Sequence, residues 1–249
     1  MGVTVELEGS VATVTLRWPE QRNALRPDEA REVTAVLGEA IARGAQVVVL
    51  TGEGAFCAGG NLRGMVARAD MPPEERRRLV YSAYQGLLRA LVDLPVPTIA
   101  ALDGPAVGMG FDLALACDAR LVGPGGWARQ GWGAIGAVPG TGGVLLLRLR
   151  APGALWRMLP GQPKLAAAAL AELGLAESTG DRPALEVARE RARQLAEIPP
   201  HTLAAYVELD RAHLRSELTV HLEQVLDVQV RMLADRGFKE RAEQALKNP

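Results

Sequence analysis

The hydrophobic and polar positions of the chain sort it into two regions. Val3 to Leu7 and Val11 to Leu16 alternate apolar and polar residues around a Glu8–Gly9 turn, the pattern of two short strands. Pro27 to Ala42 carries apolar residues at helical spacing, with Pro27 in the first turn and Gly44 past the end, and predicts a helix. Gln46 to Leu50 holds an unbroken apolar run, as a parallel strand buried on both faces requires. A charged amphipathic helix is predicted over Pro72–Leu91, a strand over Pro97–Leu102, an apolar helix within Gly104–Ala116 and a short strand over Ala119–Val122. This β–α alternation predicts an α/β core around a parallel sheet. From about Leu165 the strand-like runs stop, and Ala, Leu, Glu and Arg dominate. Two or three helices, broken at Gly180–Pro183 and Pro199–Pro200, are expected to cover the core or a neighbouring subunit. The Arg76-Arg77-Arg78 cluster, beside Glu74 and Glu75, reads as a solvated helix face.

Composition narrows the function classes. With 249 residues, 48% of them hydrophobic, the chain can bury a large core. A formal net charge of −1 gives no reason to expect a nucleic-acid partner. Cys57 and Cys117 are far apart in apolar settings, so neither a disulfide framework nor a metal site is expected, in keeping with a reducing cytoplasm. Met1 to Ser10 lacks the pattern of a signal peptide, and no uncharged apolar stretch has the length of a membrane helix.

Two glycine-rich loops carry the chemistry. Thr51 to Leu62 follows the buried strand, and the small residues Cys57, Ala58, Gly59 and Gly60 let a ligand approach the main chain. Asp103 to Leu113 follows another strand and opens a helix whose free N–H groups favour a developing anion. Two strand-to-loop junctions that each supply one N–H meet the requirement for an oxyanion hole, although either loop by itself is an ordinary tight turn.

Read in order, the segments resemble the crotonase (enoyl-CoA hydratase/isomerase) superfamily. Arg22-Asn-Ala-Leu25 is similar to its "RNAL" segment, Ala55-Phe-Cys-Ala-Gly-Gly-Asn-Leu62 to "FCAGADL", and Pro97 to Gly104 to "PVIAAVNG". Gly108 to Asp118 resembles "GGGCELALACD", Gly136 to Gly143 resembles "GIIPGAGG", and Gly174-Leu-Ala176 falls where the family has "AGLV". The resemblance implies a crotonase-like ββα spiral core over residues 1–176 with an α-helical C-terminal region over 177–249. It implies an acyl-CoA or acyl-carrier thioester as substrate, with coenzyme A as part of that substrate and no separate cofactor. It also implies a homotrimer or dimer of trimers. By the same resemblance the N–H groups of Ala58 and Met109 form the oxyanion hole. Arg22, Ala24, Cys57 and Ala58 would hold coenzyme A, and Gly108, Phe111, Trp132 and Gly140 would shape the acyl pocket.

The acid–base positions depart from the family. Hydratases of this kind use two glutamates. The first position is Asp112 here, one methylene shorter, and Asp112 is the candidate catalytic carboxylate. The second is Trp132, which cannot act as a base, and no Asp or Glu occurs between Asp118 and Glu172. Trp132 could shape a pocket for a flat or bulky acyl group, donate its indole N–H, fill the pocket of a non-catalytic binder, or simply pack against Trp127. Trp156 reads as core. The nucleophilic aspartate of benzoyl-CoA dehalogenases would fall at Gly140, which excludes that activity. The expected chemistry passes through a thioester enolate. Its alternatives are decarboxylation of a β-carboxyacyl thioester and acyl-CoA binding without turnover.

Overall fold

The computed structural model describes residues 2–68, 70–233 and 235–247. Its strands are β1 (Gly2–Glu8), β2 (Val11–Arg17), β3 (Val47–Gly52), β4 (Thr98–Leu102), β5 (Pro105–Val107), β6 (Ala119–Val122), β7 (Trp127–Arg129), β8 (Leu165–Ala166) and β9 (Glu177–Ser178). The first seven helices are α1 (Pro27–Ala42), α2 (Leu62–Ala67), α3 (Pro73–Arg76), α4 (Ser82–Asp93), α5 (Met109–Ala116), α6 (Gly143–Arg150) and α7 (Ala154–Met158). Four more follow: α8 (Ala167–Glu172), α9 (Ala184–Ala196), α10 (Pro200–Leu233) and α11 (Arg236–Lys247).

A six-stranded sheet runs in the order β1-β2-β3-β4-β6-β9, and a three-stranded sheet in the order β5-β7-β8. The β1–β2 pair is an antiparallel hairpin turning at Gly9, whose φ of 60° suits glycine. Every other pairing in the large sheet is parallel. Because side chains alternate across a strand, the apolar runs divide between two cores. Val48, Leu50, Ala100, Leu102 and Val122 face the main core with α1, α4 and α5. Val47, Val49, Ile99, Ala101 and Leu121 face the opposite layer, closed by Ala184, Ala188 and Ala192 of α9. These three alanines recur every four residues, so one smooth stripe lets the helix lie close on the sheet.

The tail is more closely integrated than its composition suggests. β9 pairs with β6 just past residue 176, and α9 covers the back of the sheet. The long α10 contributes Leu203 to the back layer, Leu214, Leu218 and Leu222 to the main core, and Leu226 and Leu233 to a third cluster. Arg211 fixes its register. This fully buried guanidinium donates to Asp118 Oδ1 at 2.8 Å and to the Val92 and Leu94 carbonyls at 2.9 and 2.7 Å. Burial alone would raise the Asp118 carboxyl, but the Arg211 and Thr98 contacts hold it below its ordinary range.

Two sequence expectations fail here. Arg76 is buried rather than solvated: its Nη2 donates to the Arg68 and Met71 carbonyls, both at 3.0 Å. Trp156 is 73% exposed on the short α7, because the core-facing positions of that helix are Ala154 and Met158. Among the described residues no helix is long and apolar enough to cross a membrane, and no group of His, Cys, Asp and Glu could hold a metal ion.

Candidate active site

The two glycine loops are stitched together by main-chain hydrogen bonds. Cys57 N donates to Pro105 O at 3.0 Å and Val107 N to Cys57 O at 2.9 Å, so the first loop pairs with β5. The glycines make this approach possible. A methyl group on Gly110 would stand 2.0 Å from Cys57 O, and one on Gly59 would stand 2.6 Å from Val107 O. Behind the loops, buried Asn23 accepts from Trp18 N at 2.8 Å and donates to Ala55 O at 2.6 Å. Asn23 therefore splints the turn that precedes α1, a role its side chain fills in place of backbone.

The structure corrects one half of the expected oxyanion hole. The Ala58 N–H donates to the Arg22 carbonyl at 2.9 Å and is not free. Two residues on, Leu25 N donates to Gly59 O at 2.7 Å and Asn61 N to Leu25 O at 2.8 Å. In such a bridge the intervening residue turns its own N–H the other way. Gly60 and Met109 both line one pocket, and neither N–H takes a hydrogen-bond partner among the described residues. Met109 is the first residue of α5, where an unpartnered N–H is expected. Gly60, in place of Ala58, shares the pocket lining with Met109.

Asp112 lies in the first turn of α5 and is fully buried. Gln130 Nε2 donates to its Oδ1 at 2.9 Å, and Thr141 Oγ1 to its Oδ2 at 2.6 Å. A methyl group on Gly143 would stand 2.1 Å from Oδ1, so that glycine makes room for the carboxylate. Burial pushes the Asp112 carboxyl up to about 6 against the pull of its two donors. Thr141 lines the pocket and Asp112 does not, so the hydroxyl stands between carboxylate and cavity. Sequence reasoning missed Thr141, because only the fold shows which residue covers the aspartate.

The pocket is a narrow, partly open cleft with a cavity volume of about 30 Å³. Met65, Val80, Tyr81 and Tyr84 from α2 and the α3–α4 segment form one wall, Gln229 and Leu233 of α10 close another, and Arg68 and Arg76 also face it. Trp132 faces it as well. A methyl group at Gly108 would stand 3.4 Å from the indole Nε1, which is buried without a hydrogen-bond partner among the described residues. No Asp, Glu or His lines the pocket among the described residues. The loop carrying Trp132 and Thr141 is held by Gln85, which donates to Gly140 O at 3.0 Å, and by Gln229, which donates to Val138 O at 2.6 Å.

The remaining sequence candidates are scattered more widely. Phe111 is core, 1% exposed, and Gly140 packs against Gln229, where a methyl group would stand 2.1 Å from Oε1. Gly108 borders the pocket only through Trp132. Cys57 is fully buried, its thiol raised to about 12 by burial and donating to Asn23 O, so its side chain is closed to coenzyme A. Arg22 is exposed, with φ 51°, and Ala24 and Ala58 are half-buried.

Comparison with known proteins places these features in context. A family model described as enoyl-CoA hydratase/isomerase matches residues 6–247. A Rhodobacter capsulatus protein called "Probable enoyl-CoA hydratase" is 32% identical over 96% of this chain and 92% of its own. Against mycobacterial proteins likewise called probable enoyl-CoA hydratases, 36% to 40% identical, the chain aligns over 44% to 56% of their length. The enoyl-CoA hydratase structure from Bacillus halodurans superposes with a TM-score of 0.90 at 21% identity, over 98% of this chain and 100% of that one. The decarboxylase domain of CurF from Lyngbya majuscula superposes with a TM-score of 0.83 at 20% identity, over 98% of both chains. The fold is that of the crotonases, and the chain belongs to the enoyl-CoA hydratase/isomerase family.

Proposed function

We propose that this chain binds an acyl thioester of coenzyme A, or of a carrier protein, and moves a proton at the carbon next to the thioester carbonyl. The pair of N–H groups at Gly60 and Met109, two residues of one pocket lining and without hydrogen-bond partners among the described residues, carries the reading. A thioester oxygen seated between them would gain charge as the enolate forms, and fixed donors favour that charge without reorganising. The α5 dipole adds to the effect at Met109. Asp112 is the base. As the enolate forms, the α-proton passes to Thr141 Oγ1 while the Thr141 proton passes to Asp112 Oδ2, and the reverse steps return a proton to carbon. A carboxyl titrating near 6 can serve in both directions near neutral pH. Arg22, Ala24 and Ala58 lie outside the pocket lining and are the candidates for holding coenzyme A.

Hydration needs a second carboxylate to activate water, and Trp132 occupies that place. Proton shuttling of the isomerase kind is therefore favoured over hydration. One observation supports decarboxylation of a β-carboxyacyl thioester as the second reading: among the described residues no acidic side chain lines the pocket, and that reaction requires only the hole and one proton donor. The trimeric assembly rests on family membership, and the sedimented mass of the purified chain tests it.

Deuterium exchange tests the enolate step without knowledge of the product. Butyryl-CoA and but-3-enoyl-CoA, incubated with the protein in D₂O, should gain deuterium at C2 by NMR. Bound thioesters whose C2 protons never exchange would leave only the binding reading.

A further inference from the structure

The charge of the pocket is one-sided. Arg68 and Arg76 line it together with Gly60 and Met109, and no acidic side chain answers them there among the described residues. Arg76 has structural work at the end of α2, through its bonds to the Arg68 and Met71 carbonyls. Arg68 differs. It is the C-cap residue of α2, and its side chain folds back along the helix toward the loop that carries Gly60. A methyl group on Gly64 would stand 2.9 Å from Arg68 Nη2 and 3.2 Å from Asn61 Oδ1. Its charge is felt at the Tyr84 phenol, and Tyr84 flanks Gly60, where a methyl group would stand 3.8 Å from the ring.

Two of the three guanidinium nitrogens of this half-buried side chain are unsatisfied. Arg68 Nε and Nη2 are buried and take no hydrogen-bond partner among the described residues. A surface arginine does the opposite, burying its stem and holding its head in water. A guanidinium stays charged at every physiological pH, so it cannot escape the cost of burial by losing a proton. An anion brought by the ligand would remove that cost, and the planar fork matches a carboxylate with two parallel hydrogen bonds.

We propose that Arg68 selects acyl thioesters whose acyl group itself carries a carboxylate, the monothioesters of dicarboxylic acids. The proposal rests on the acyl-thioester reading of the same pocket and adds its substrate class. The phosphates of coenzyme A are the other source of an anion. Arg68 shares a cavity with both hole donors, whereas Arg22, the candidate for a phosphate, does not line it.

Calorimetric titration separates the possibilities. Succinyl-CoA and butyryl-CoA have acyl chains of equal carbon count and differ in the terminal carboxylate. The wild-type protein should bind succinyl-CoA at least about 10-fold more tightly, the scale of a hydrogen bond to a charged group. Arg68→Met should bring the two ligands level, and Arg68→Lys should recover part of the preference, which shows that a folded pocket persists. Melting curves on both variants accompany the titrations. Equal affinity of the wild type for the two thioesters overturns the proposal. So does a loss in Arg68→Met that is the same for succinyl-CoA, butyryl-CoA and free coenzyme A, since that pattern assigns Arg68 to the phosphates. Failure of both thioesters to bind better than free coenzyme A would overturn the acyl-thioester reading itself, a result distinct from loss of selectivity.

Discussion

Replacing Asp112 by Asn should make the protein more stable and inactive at once. In the folded protein burial raises the carboxyl from its ordinary 3.8 to about 6. The folded state therefore binds this proton more tightly than the unfolded chain does. As pH rises from about 4 to about 6, that advantage is lost, and above 6 the whole cost of a buried charge is present. The gap is worth about 3 kcal/mol, at about 1.4 kcal/mol per tenfold change in proton affinity. Asn is nearly isosteric and carries no charge. Thr141 Oγ1 can still donate to its oxygen. Gln130 can rotate its amide to accept from the new NH₂, because Gln130 Oε1 has no partner among the described residues and forfeits no bond in turning. The stability difference between Asp112→Asn and wild type, from urea unfolding, should grow from near zero at about pH 3, through about 1 kcal/mol near pH 4.5, toward about 3 kcal/mol at pH 7. C2 exchange should fall by about 10²–10⁴-fold, as expected when a general base is removed. A difference that stays flat with pH would refute the buried-charge argument, and exchange that survives the substitution would remove Asp112 from the mechanism.

Thr141→Val keeps the shape and deletes the hydroxyl, leaving Asp112 Oδ2 without its donor; it should cost about 1–3 kcal/mol and slow C2 exchange, and undiminished exchange would show that no proton passes through Thr141. Wild-type hydration of crotonyl-CoA should lie about 10²–10⁴-fold below that of a two-carboxylate site, and Trp132→Glu should raise it, provided circular dichroism shows an intact fold. Failure of folded Trp132→Glu to hydrate would mean that the pocket is reshaped beyond this one residue. Arg211→Met leaves Asp118 buried without its cation and should cost about 3–5 kcal/mol near neutral pH. Because the folded Asp118 titrates below its ordinary range, that contribution is complete above the unfolded value and disappears as pH falls through the folded one, so wild type and variant should converge in acid; a constant gap would contradict the pairing.

The sequence already showed the frame of the site. Unbroken apolar runs marked β3 and β4, and the glycine loops after them marked where main chain would meet ligand. The predicted helix over Pro27–Ala42 coincides with α1, because proline and glycine punctuate both of its ends. What the sequence concealed depended on direction and on distant partners. Which of three successive N–H groups faces the pocket is decided by the Leu25–Gly60 bridge, between residues 35 positions apart, so sequence alone does not separate Ala58 from Gly60. Thr141 meets Asp112 across 29 positions, and the two carbonyls that cap Arg76 belong to a turn rather than to its own helix. β8 and β9 have two residues each, too few to show an alternation, and only their pairing makes them strands. Trp156 lies outside because a short helix with two buried positions leaves an aromatic no room inward.

The central claim is that a thioester carbonyl sits between the Gly60 and Met109 N–H groups while charge develops on its oxygen. A crystal structure with a non-cleavable thioether analogue of succinyl-CoA, its carbonyl retained, measures this directly. The account predicts that oxygen about 2.7–3.1 Å from both nitrogens, with the carbon that bears the exchanging proton toward Thr141. A carbonyl bound instead to the Trp132 indole N–H, or held outside the pocket with Gly60 and Met109 both unengaged, would contradict it.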